Sequence, residues 1–226
     1  MTQIVFALYP GVTQLDFTGP HQFFCRLPGA KVRVACESGE PIVTDGLTFA
    51  GLERLADIET CDVLCVPGGF GTMDAMLNEG FMAQIRRLGA GAKYVTSVCT
   101  GSLILGAAGF LQGKRAACHW AWRELLTPFG AIVSDARVER DGNVLTGGGV
   151  TAGIDFALVM LAELAGQDYA EATQLGLEYA PAPPFNSGRP ELARPEVLAL
   201  VKARLAQSAD ARAEAAVDAA ARMVAA

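Results

Sequence analysis

Short apolar runs alternate with longer amphipathic stretches along this chain. Four runs are almost continuously apolar, as is typical of strands covered on both faces of a parallel sheet. We predict these strands at Gln3–Tyr9, Lys31–Cys36, Asp62–Val66 and Lys93–Val98. The stretches between and after them have helical character, which predicts helices at Asp74–Gly89, Gly101–Phe110, His119–Phe129 and Thr151–Ala165.

The alternation of strands and helices predicts the fold class. It favours an α/β fold in which a mostly parallel sheet has helices on both faces, a three-layer sandwich. One hairpin is expected late in the chain, where two polar-alternating runs, 137–140 and 143–146, flank an Asp-Gly turn.

The C-terminal part of the chain changes in composition. Residues 180–195 are rich in Pro, which removes backbone donors and blocks helix continuation, so we predict a loop. Residues 196–226 are rich in Ala, Arg and Glu and have apolar residues at helical spacing. We therefore predict one α/β domain over residues 1–195. We predict that residues 196–226 form a helical extension that packs on the body of the domain or on a dimer partner.

Composition excludes several classes of protein. The chain has 226 residues, of which 51% are apolar and 19% charged, so it can bury a large core. Its net charge of −6 opposes nucleic-acid binding, because phosphate neutralisation requires a basic face. Apolar runs stay short of the roughly 18 residues of a membrane span, and the N-terminus lacks the basic start of a signal peptide. Six cysteines are too sparse for a disulfide scaffold, so we expect reduced thiols and a cytoplasmic location.

The strongest chemical signal lies in the segment Thr96–Ser102. It places Cys99 where a predicted strand ends and a helix of small residues begins. This edge of an open α/β sheet binds ligands, and a helix N-terminus favours thiolate over thiol. The arrangement resembles a nucleophile elbow with Cys in place of Ser. We predict that Cys99 is a nucleophile; the alternative is a buried structural thiol.

A nucleophile of this kind needs groups that stabilise developing negative charge. The turn Pro67–Gly69 follows a predicted strand, so its backbone amides also lie at the carboxyl edge of the sheet. We predict that the amides of Gly69 and Thr100 form an anion-binding pair. Taken alone, the same turn is explained equally well as a structural feature.

Asp16 is the most informative acid in the sequence. It follows the first predicted strand and is flanked by Leu15 and Phe17. One interpretation is an N-cap, which accepts hydrogen bonds from free N–H groups at the start of a helix. The other is a desolvated carboxyl whose raised pKa makes it a proton donor and acceptor near neutral pH. The sequence leaves both open.

Metal and nucleotide sites have little support. Cys61 and Cys65 lack the two further ligands that a zinc site needs, and the chain has two histidines. The segment Gly147–Gly153 fits a loose dinucleotide pattern, but it follows a hairpin and no acid ends a strand about 20 residues later. We expect these glycines to serve close backbone packing. We expect neither a metal nor a cofactor, and structural roles for the other five cysteines.

Five segments together carry a family resemblance. They are YPGVTQLDFTGP, VPGG, TSVCTGSLILGAAGFLQGKRAACHW, DGNVLTGGGVTAGIDFAL and LEYAPAPPFN. Over about residues 3 to 188 the chain resembles the isonitrile (isocyanide) hydratases within the ThiJ/PfpI superfamily. The resemblance implies a flavodoxin-like sandwich, a homodimer, a cysteine nucleophile and no cofactor.

The resemblance also implies roles for individual positions. Cys99 matches the family nucleophile, and Asp16 matches the acid that contacts it. His119 matches a position near the nucleophile, where a packed structural histidine is the alternative. The positions that match residues lining the substrate site are Thr100, Gly148 and Val150.

The implied reaction is hydration of an isonitrile, R–N≡C, to an N-substituted formamide. Cys99 would form a thioimidate, with Asp16 acting first as acid and then as base. Peptidase-like and glyoxalase-like branches of the superfamily carry His directly after the nucleophile, where this chain has Thr100, which disfavours a peptidase or amidase.

Two alternatives stay open. One is a cysteine-based redox or ligand sensor without turnover, and the other is a glyoxalase- or deglycase-type thiol enzyme. For the hydratase, the expected partners are a small isonitrile and water, without nucleic acid or membrane. We expect the Pro-rich segment Tyr179–Phe185 to form an apolar wall over an uncharged substrate.

Overall fold

The computed structural model describes residues 1–225, within which eleven strands and eight α-helices follow one another along the chain. The strands are β1 Thr2–Leu8, β2 Ala30–Cys36, β3 Ile42–Thr44, β4 Leu47–Phe49, β5 Glu53–Arg54, β6 Val63–Val66, β7 Tyr94–Val98, β8 Arg115–Ala117, β9 Ile132–Ser134, β10 Val138–Asp141 and β11 Val144–Gly147. The helices are α1 Gln14–Phe24, α2 Thr72–Leu77, α3 Glu79–Gly91, α4 Gly101–Ala107, α5 Ala152–Ala165, α6 Gln167–Gly176, α7 Pro195–Ala206 and α8 Ala209–Ala225. Two short 3-10 helices span Leu55–Asp57 and Arg123–Phe129.

The central sheet has the order β10-β11-β7-β6-β1-β2-β5. Every neighbouring pair is parallel except β10 and β11, which form the antiparallel hairpin predicted around Asp141-Gly142. Helices flank this sheet in two packed groups: α1, α5 and α6 form one, and α2, α4 and α8 form the other. The predicted α/β class with a mostly parallel sheet is confirmed.

The strand ends that matter for function meet at one edge of the sheet. Strands β6 and β7 are buried along their whole length, as their continuous apolar runs predict. Val66 of β6 lies opposite Ser97 of β7, and Val98 lies opposite Gly147 of β11. The chain segments that leave β1, β6, β7 and β11 therefore converge at the carboxyl edge.

Two predicted helices differ from the structure observed there. The helix predicted at Asp74–Gly89 is divided into α2 and α3, because the Asn78 side chain accepts the Phe81 N–H at 3.1 Å and starts a new helix. The segment His119–Phe129 contains turns and a 3-10 helix with Pro128 inside it, rather than an α-helix. The sequence pattern does not predict helix α1 or the β3–β4 hairpin, because neither shows a clear hydrophobic period.

The predicted C-terminal helical stretch is two helices, α7 and α8. Helix α8 packs against α2, α4 and the second 3-10 helix, with Ala216 and Ala219 buried. Small side chains at these two positions let the helix backbone approach closely. The division into residues 1–195 and 196–226 stays a prediction. Within residues 1–225, none of the helices has both the length and the apolar character that crossing a membrane requires.

Packing around α4 can be tested at one glycine. A Cβ on Gly106 would lie 2.7 Å from Phe129 Cδ2 and 3.0 Å from Phe129 Cβ. We expect Gly106→Ala to lower the free energy of unfolding by about 1–3 kcal/mol through overpacking. The matched control is Gly176→Ala, where a Cβ has no neighbour within 4 Å. Urea denaturation should show no loss of stability in the control; equal losses in both variants would contradict this account of α4.

Candidate active site

Cys99 lies at the turn between β7 and α4, where the sequence predicts it. Its φ angle is 60°, in the left-handed region that non-glycine residues seldom adopt. The Cys99 N–H donates to the carbonyls of Gly147, at 3.0 Å, and Gly148, at 2.7 Å. This backbone conformation costs about 1–3 kcal/mol and persists where the surroundings enforce it, so the glycine segment after β11 holds the elbow in place.

Asp16 lies inside α1 and does not cap it. The N-cap residue is Thr13, and the Asp16 side chain has no exposed surface (0%). Asp16 Oδ2 accepts the Gly68 N–H at 2.9 Å, and the carboxyl also contacts the Cys99 thiol. Among the described residues, Oδ1 has no hydrogen-bond partner of good geometry. Of the two interpretations of Asp16, the structure supports the desolvated carboxyl.

The Asp16 carboxyl and the Cys99 thiol both favour their protonated forms. Burial raises the pKa of Asp16 to about 7, against the lowering effect of the Gly68 hydrogen bond. Burial, and next the negative charge of Asp16, raise the pKa of Cys99 well above its ordinary value. Desolvation outweighs the lowering effect of the Thr100 N–H on the Cys99 pKa, so the site at rest favours the thiol rather than the expected thiolate.

A chain of hydroxyl groups lies beneath the nucleophile. Thr100 Oγ1 accepts the Gly69 N–H at 3.0 Å and lies 2.7 Å from Thr72 Oγ1, which in turn lies 3.0 Å from the Tyr9 hydroxyl. The Gly69 amide is thus already satisfied inside the protein. The expected pair of free amides at Gly69 and Thr100 is corrected to one amide, that of Thr100, which is directed at the Cys99 sulfur.

Gly68 explains why a glycine follows Pro67 at the end of β6. A Cβ at Gly68 would lie 2.5 Å from the Thr100 nitrogen and 2.9 Å from Asp16 Oδ2. Any larger residue would therefore push apart the two segments that carry the acid and the nucleophile. The PGG turn is a close-packing element of the site.

Cys99 opens into a cavity of about 240 Å³. Five of the residues predicted to form the site line it: Gly69, Cys99, Thr100, His119 and Val150. Six further residues of the lining were not predicted: Thr13, Asp45, Phe70, Trp122, Leu205 and Arg212. Asp16 is not part of this lining, but its carboxyl contacts the Cys99 thiol.

Gly148 and the Pro-rich segment lie elsewhere. Gly148 supports the elbow through its carbonyl and lines a neighbouring cavity that also includes His119 and Val150. The prediction that Tyr179–Phe185 forms a wall of the substrate site is wrong. No residue of this segment lines the Cys99 cavity, and Phe185 is 81% exposed. The wall comes instead from Leu205 of α7 and Arg212 of α8.

The two histidines are weak candidates for the catalytic base. His119 Nδ1 accepts the Ala121 N–H at 3.3 Å, and burial, with the charge of Arg212, lowers the His119 pKa. His21 lies on α1 beside Cys25, with its ring nitrogens 3.5 and 3.6 Å from that sulfur. His119 therefore stands as a neutral residue of the cavity wall, whereas the carboxyl of Asp16 contacts the Cys99 thiol directly.

Arg212 is the buried charged residue of the cavity that the sequence analysis does not predict. Its signal was present: Arg212, Ala216 and Ala219 lie at i, i+4 and i+7 on α8 and are the buried residues of that helix whose side chains are described. A charged residue that shares the buried face of a helix indicates that this face borders a polar site.

Comparison with known proteins places this geometry in a family. The model of the DJ-1/PfpI family matches residues 2–163, well over half of the chain. The chain belongs to the DJ-1/PfpI family. The family resemblance seen in the sequence is thereby confirmed.

Individual relatives of this DJ-1/PfpI protein agree with the family match. It is 50% identical over 213 residues to isonitrile hydratase from Pseudomonas putida, covering 94% of this chain and 93% of the relative. It is 27% identical to protein dj-1beta from Drosophila melanogaster, over 75% of this chain and 93% of that protein. A crystal structure of a ThiJ/PfpI family protein from Pseudomonas syringae superposes with a TM-score of 0.91 at 44% identity, covering 97% of this chain and 90% of that one.

The raised pKa of Asp16 predicts an unusual stability profile. Between about pH 4 and pH 7 the folded protein retains a proton that the unfolded chain releases, so its free energy of unfolding falls as pH rises. Asp16→Asn removes this dependence, and we expect it to stabilise the protein by about 1–4 kcal/mol at pH 8 and by little or nothing at pH 4. Denaturation at the two pH values tests this; a destabilised variant at pH 8 would contradict a buried, proton-retaining carboxyl.

Proposed function

We propose that this protein hydrates isonitriles to N-substituted formamides, with Cys99 as nucleophile and Asp16 as general acid and base. The observation that carries the proposal is the buried Asp16 carboxyl, of pKa about 7, in contact with the Cys99 thiol. The 50% identity to the Pseudomonas putida isonitrile hydratase along almost the whole chain supports it. An isonitrile carbon must accept both a nucleophile and a proton, and this pair supplies both.

The first step forms a bond from sulfur to carbon. The reactive form has the proton on Asp16 and the negative charge on Cys99, whose sulfur receives the Thr100 N–H. The thiolate attacks the terminal carbon of R–N≡C while Asp16 gives its proton to the same carbon. The product is a thioimidate, R–N=CH–S–Cys99, and an Asp16 carboxylate.

The second step consumes water. Asp16 carboxylate takes a proton from water as the oxygen adds to the thioimidate carbon, and this proton passes to the nitrogen. The hydroxyl proton of the tetrahedral adduct then goes to Asp16 as the carbon–sulfur bond breaks. The formamide leaves, and the starting Cys99 thiolate and protonated Asp16 return, so no cofactor is consumed.

The remaining site residues hold this pair in place. Thr100 positions its amide at the sulfur through the hydroxyl chain described above, and Gly148 holds the Cys99 backbone. Val150 and His119 form part of the cavity wall. We further propose that the protein works as a cytoplasmic homodimer that uses a small isonitrile and water and binds neither nucleic acid nor membrane.

A thiol enzyme acting on aldehydes has less support in this site. Such chemistry in the superfamily is associated with His directly after the nucleophile, and here Thr100 is hydrogen-bonded within the protein. A redox sensor needs an accessible, acidic thiol, whereas the Cys99 side chain is buried and its pKa is raised.

Turnover of an aryl isonitrile by wild-type protein and three variants tests the proposal. We expect Cys99→Ala to abolish formamide formation and Asp16→Asn to lower kcat by at least about 100-fold, because the proton donor is lost. Cys61→Ala is the matched control, since this buried cysteine lies at the opposite edge of the sheet before β6.

The control variant should retain wild-type kcat and KM. Wild-type rates in either active-site variant would refute the mechanism. A well-folded wild-type protein that turns over no isonitrile while Cys99 is reduced would refute the function.

A further inference from the structure

Arg212 presents an unusual charge to the Cys99 cavity. Arg212 is buried, with 7% of its surface exposed, and it lines the same cavity as Cys99. The guanidinium lies over the Trp122 ring, 4.7 Å from the ring centroid, and Nε donates to Ser208 Oγ at 3.3 Å. Nη1 is buried and has no hydrogen-bond partner among residues 1–225.

This positive charge has no counter-charge in the described part of the protein. None of the ion pairs found there includes Arg212. Its charge also acts on His119, which is a base and supplies no negative charge. The groups whose negative forms raise the pKa of Arg212 are Cys99, Tyr9 and Cys118. Each of these is neutral when protonated, and burial raises all three pKa values.

An unpaired buried guanidinium is costly, and a cation–π contact offsets only part of that cost. The fold nevertheless directs this arginine from α8 into the cavity, on a stripe otherwise filled by alanine. A planar fork of N–H donors matches a carboxylate in geometry and charge. The missing partner is therefore expected among the molecules that enter the cavity.

We propose that Arg212 binds a carboxylate carried by the substrate, so that the preferred substrate is an isonitrile with an anionic group at the end remote from its reactive carbon. This inference rests on the proposed function. Cys99 and Arg212 both line the cavity of about 240 Å³, so a small molecule can engage both. Asp45, an acid at the cavity, is exposed to solvent and leaves the buried charge of Arg212 unopposed.

The proposal changes the expectation of an uncharged substrate. That expectation depended on an apolar wall from Tyr179–Phe185, a segment that does not line the cavity. The wall that replaces it combines the apolar Trp122 and Leu205 with the charge of Arg212. Such a surface suits a substrate with an apolar middle and an anionic end.

Two matched pairs of isonitriles test the proposal: isocyanoacetate and 4-isocyanobenzoate, each beside its neutral methyl ester. For wild-type protein we expect kcat/KM for at least one acid to exceed that for its ester by about 10-fold or more. In Arg212→Met, KM for that acid should rise by about 10- to 100-fold while the ester is hardly affected. Arg212→Lys should recover part of the preference, because it restores the charge without the planar fork.

The control variant is Arg222→Met, on the same helix, where the arginine is exposed and paired with Asp218. It should leave both substrates unchanged. Arg212→Met should fold with at least wild-type stability, because it removes an unpaired buried charge. Equal kcat/KM for acid and ester in the wild-type protein would overturn the proposal. So would an equal fall in kcat for both in Arg212→Met, since the guanidinium would then act on the Cys99 thiolate.

A measurement without turnover separates this proposal from the hydratase function. N-formylglycine, which has the form of a product, should slow alkylation of Cys99 by iodoacetamide in wild-type protein and not in Arg212→Met. The methyl ester of N-formylglycine should slow alkylation in neither the wild-type protein nor Arg212→Met. If no isonitrile is hydrated but this protection is observed, the proposed function fails and the carboxylate site stands. If isonitriles are hydrated but the acids are not preferred and N-formylglycine gives no protection, the carboxylate site is refuted and the proposed function stands.

Discussion

The site depends on one buried proton-binding carboxyl. Asp16 has no contact with solvent, receives a single backbone N–H at Oδ2 and lies against the thiol of Cys99. Because water cannot stabilise a negative charge there, Asp16 and Cys99 retain a proton near neutral pH. The surrounding protein determines which of the two groups carries it. The close approach of Gly68 and the left-handed backbone of Cys99 both serve this contact.

Four segments from distant parts of the chain build the environment of that pair. Helix α1 carries the acid, the PGG turn after β6 supplies its hydrogen bond, and the elbow after β7 carries the thiol. The glycines after β11 then hold the elbow through two carbonyls. They meet because parallel strands end at a common edge, where the connecting segments are free of the ladder hydrogen bonds. Leu205 of α7 and Arg212 of α8 complete the lining of the cavity.

Much of this arrangement can be predicted from the sequence. Continuous apolar runs located the inner strands, and a cysteine between a strand and a small-residue helix identified the elbow. An acid between Leu15 and Phe17 indicated burial, though not whether its side chain caps a helix or faces a thiol. Wrong predictions concerned groups whose environment is set by distant residues: the Gly69 amide is bound to Thr100, and the wall of the cavity comes from α7 and α8.

The sequence by itself determined the α/β class and the family and identified Cys99 and Asp16 as candidate site residues, because these depend on local periodicity and on motifs of residues close together in the chain. Only the tertiary structure decided the protonation of Asp16 and Cys99, since desolvation depends on everything packed around a group. It alone also brought Arg212 to a cavity whose lining includes Thr13 and Cys99, which lie far earlier in the chain. The spacing of Arg212, Ala216 and Ala219 along α8 indicates which helix face is buried. Which groups that face meets depends on how the whole fold packs.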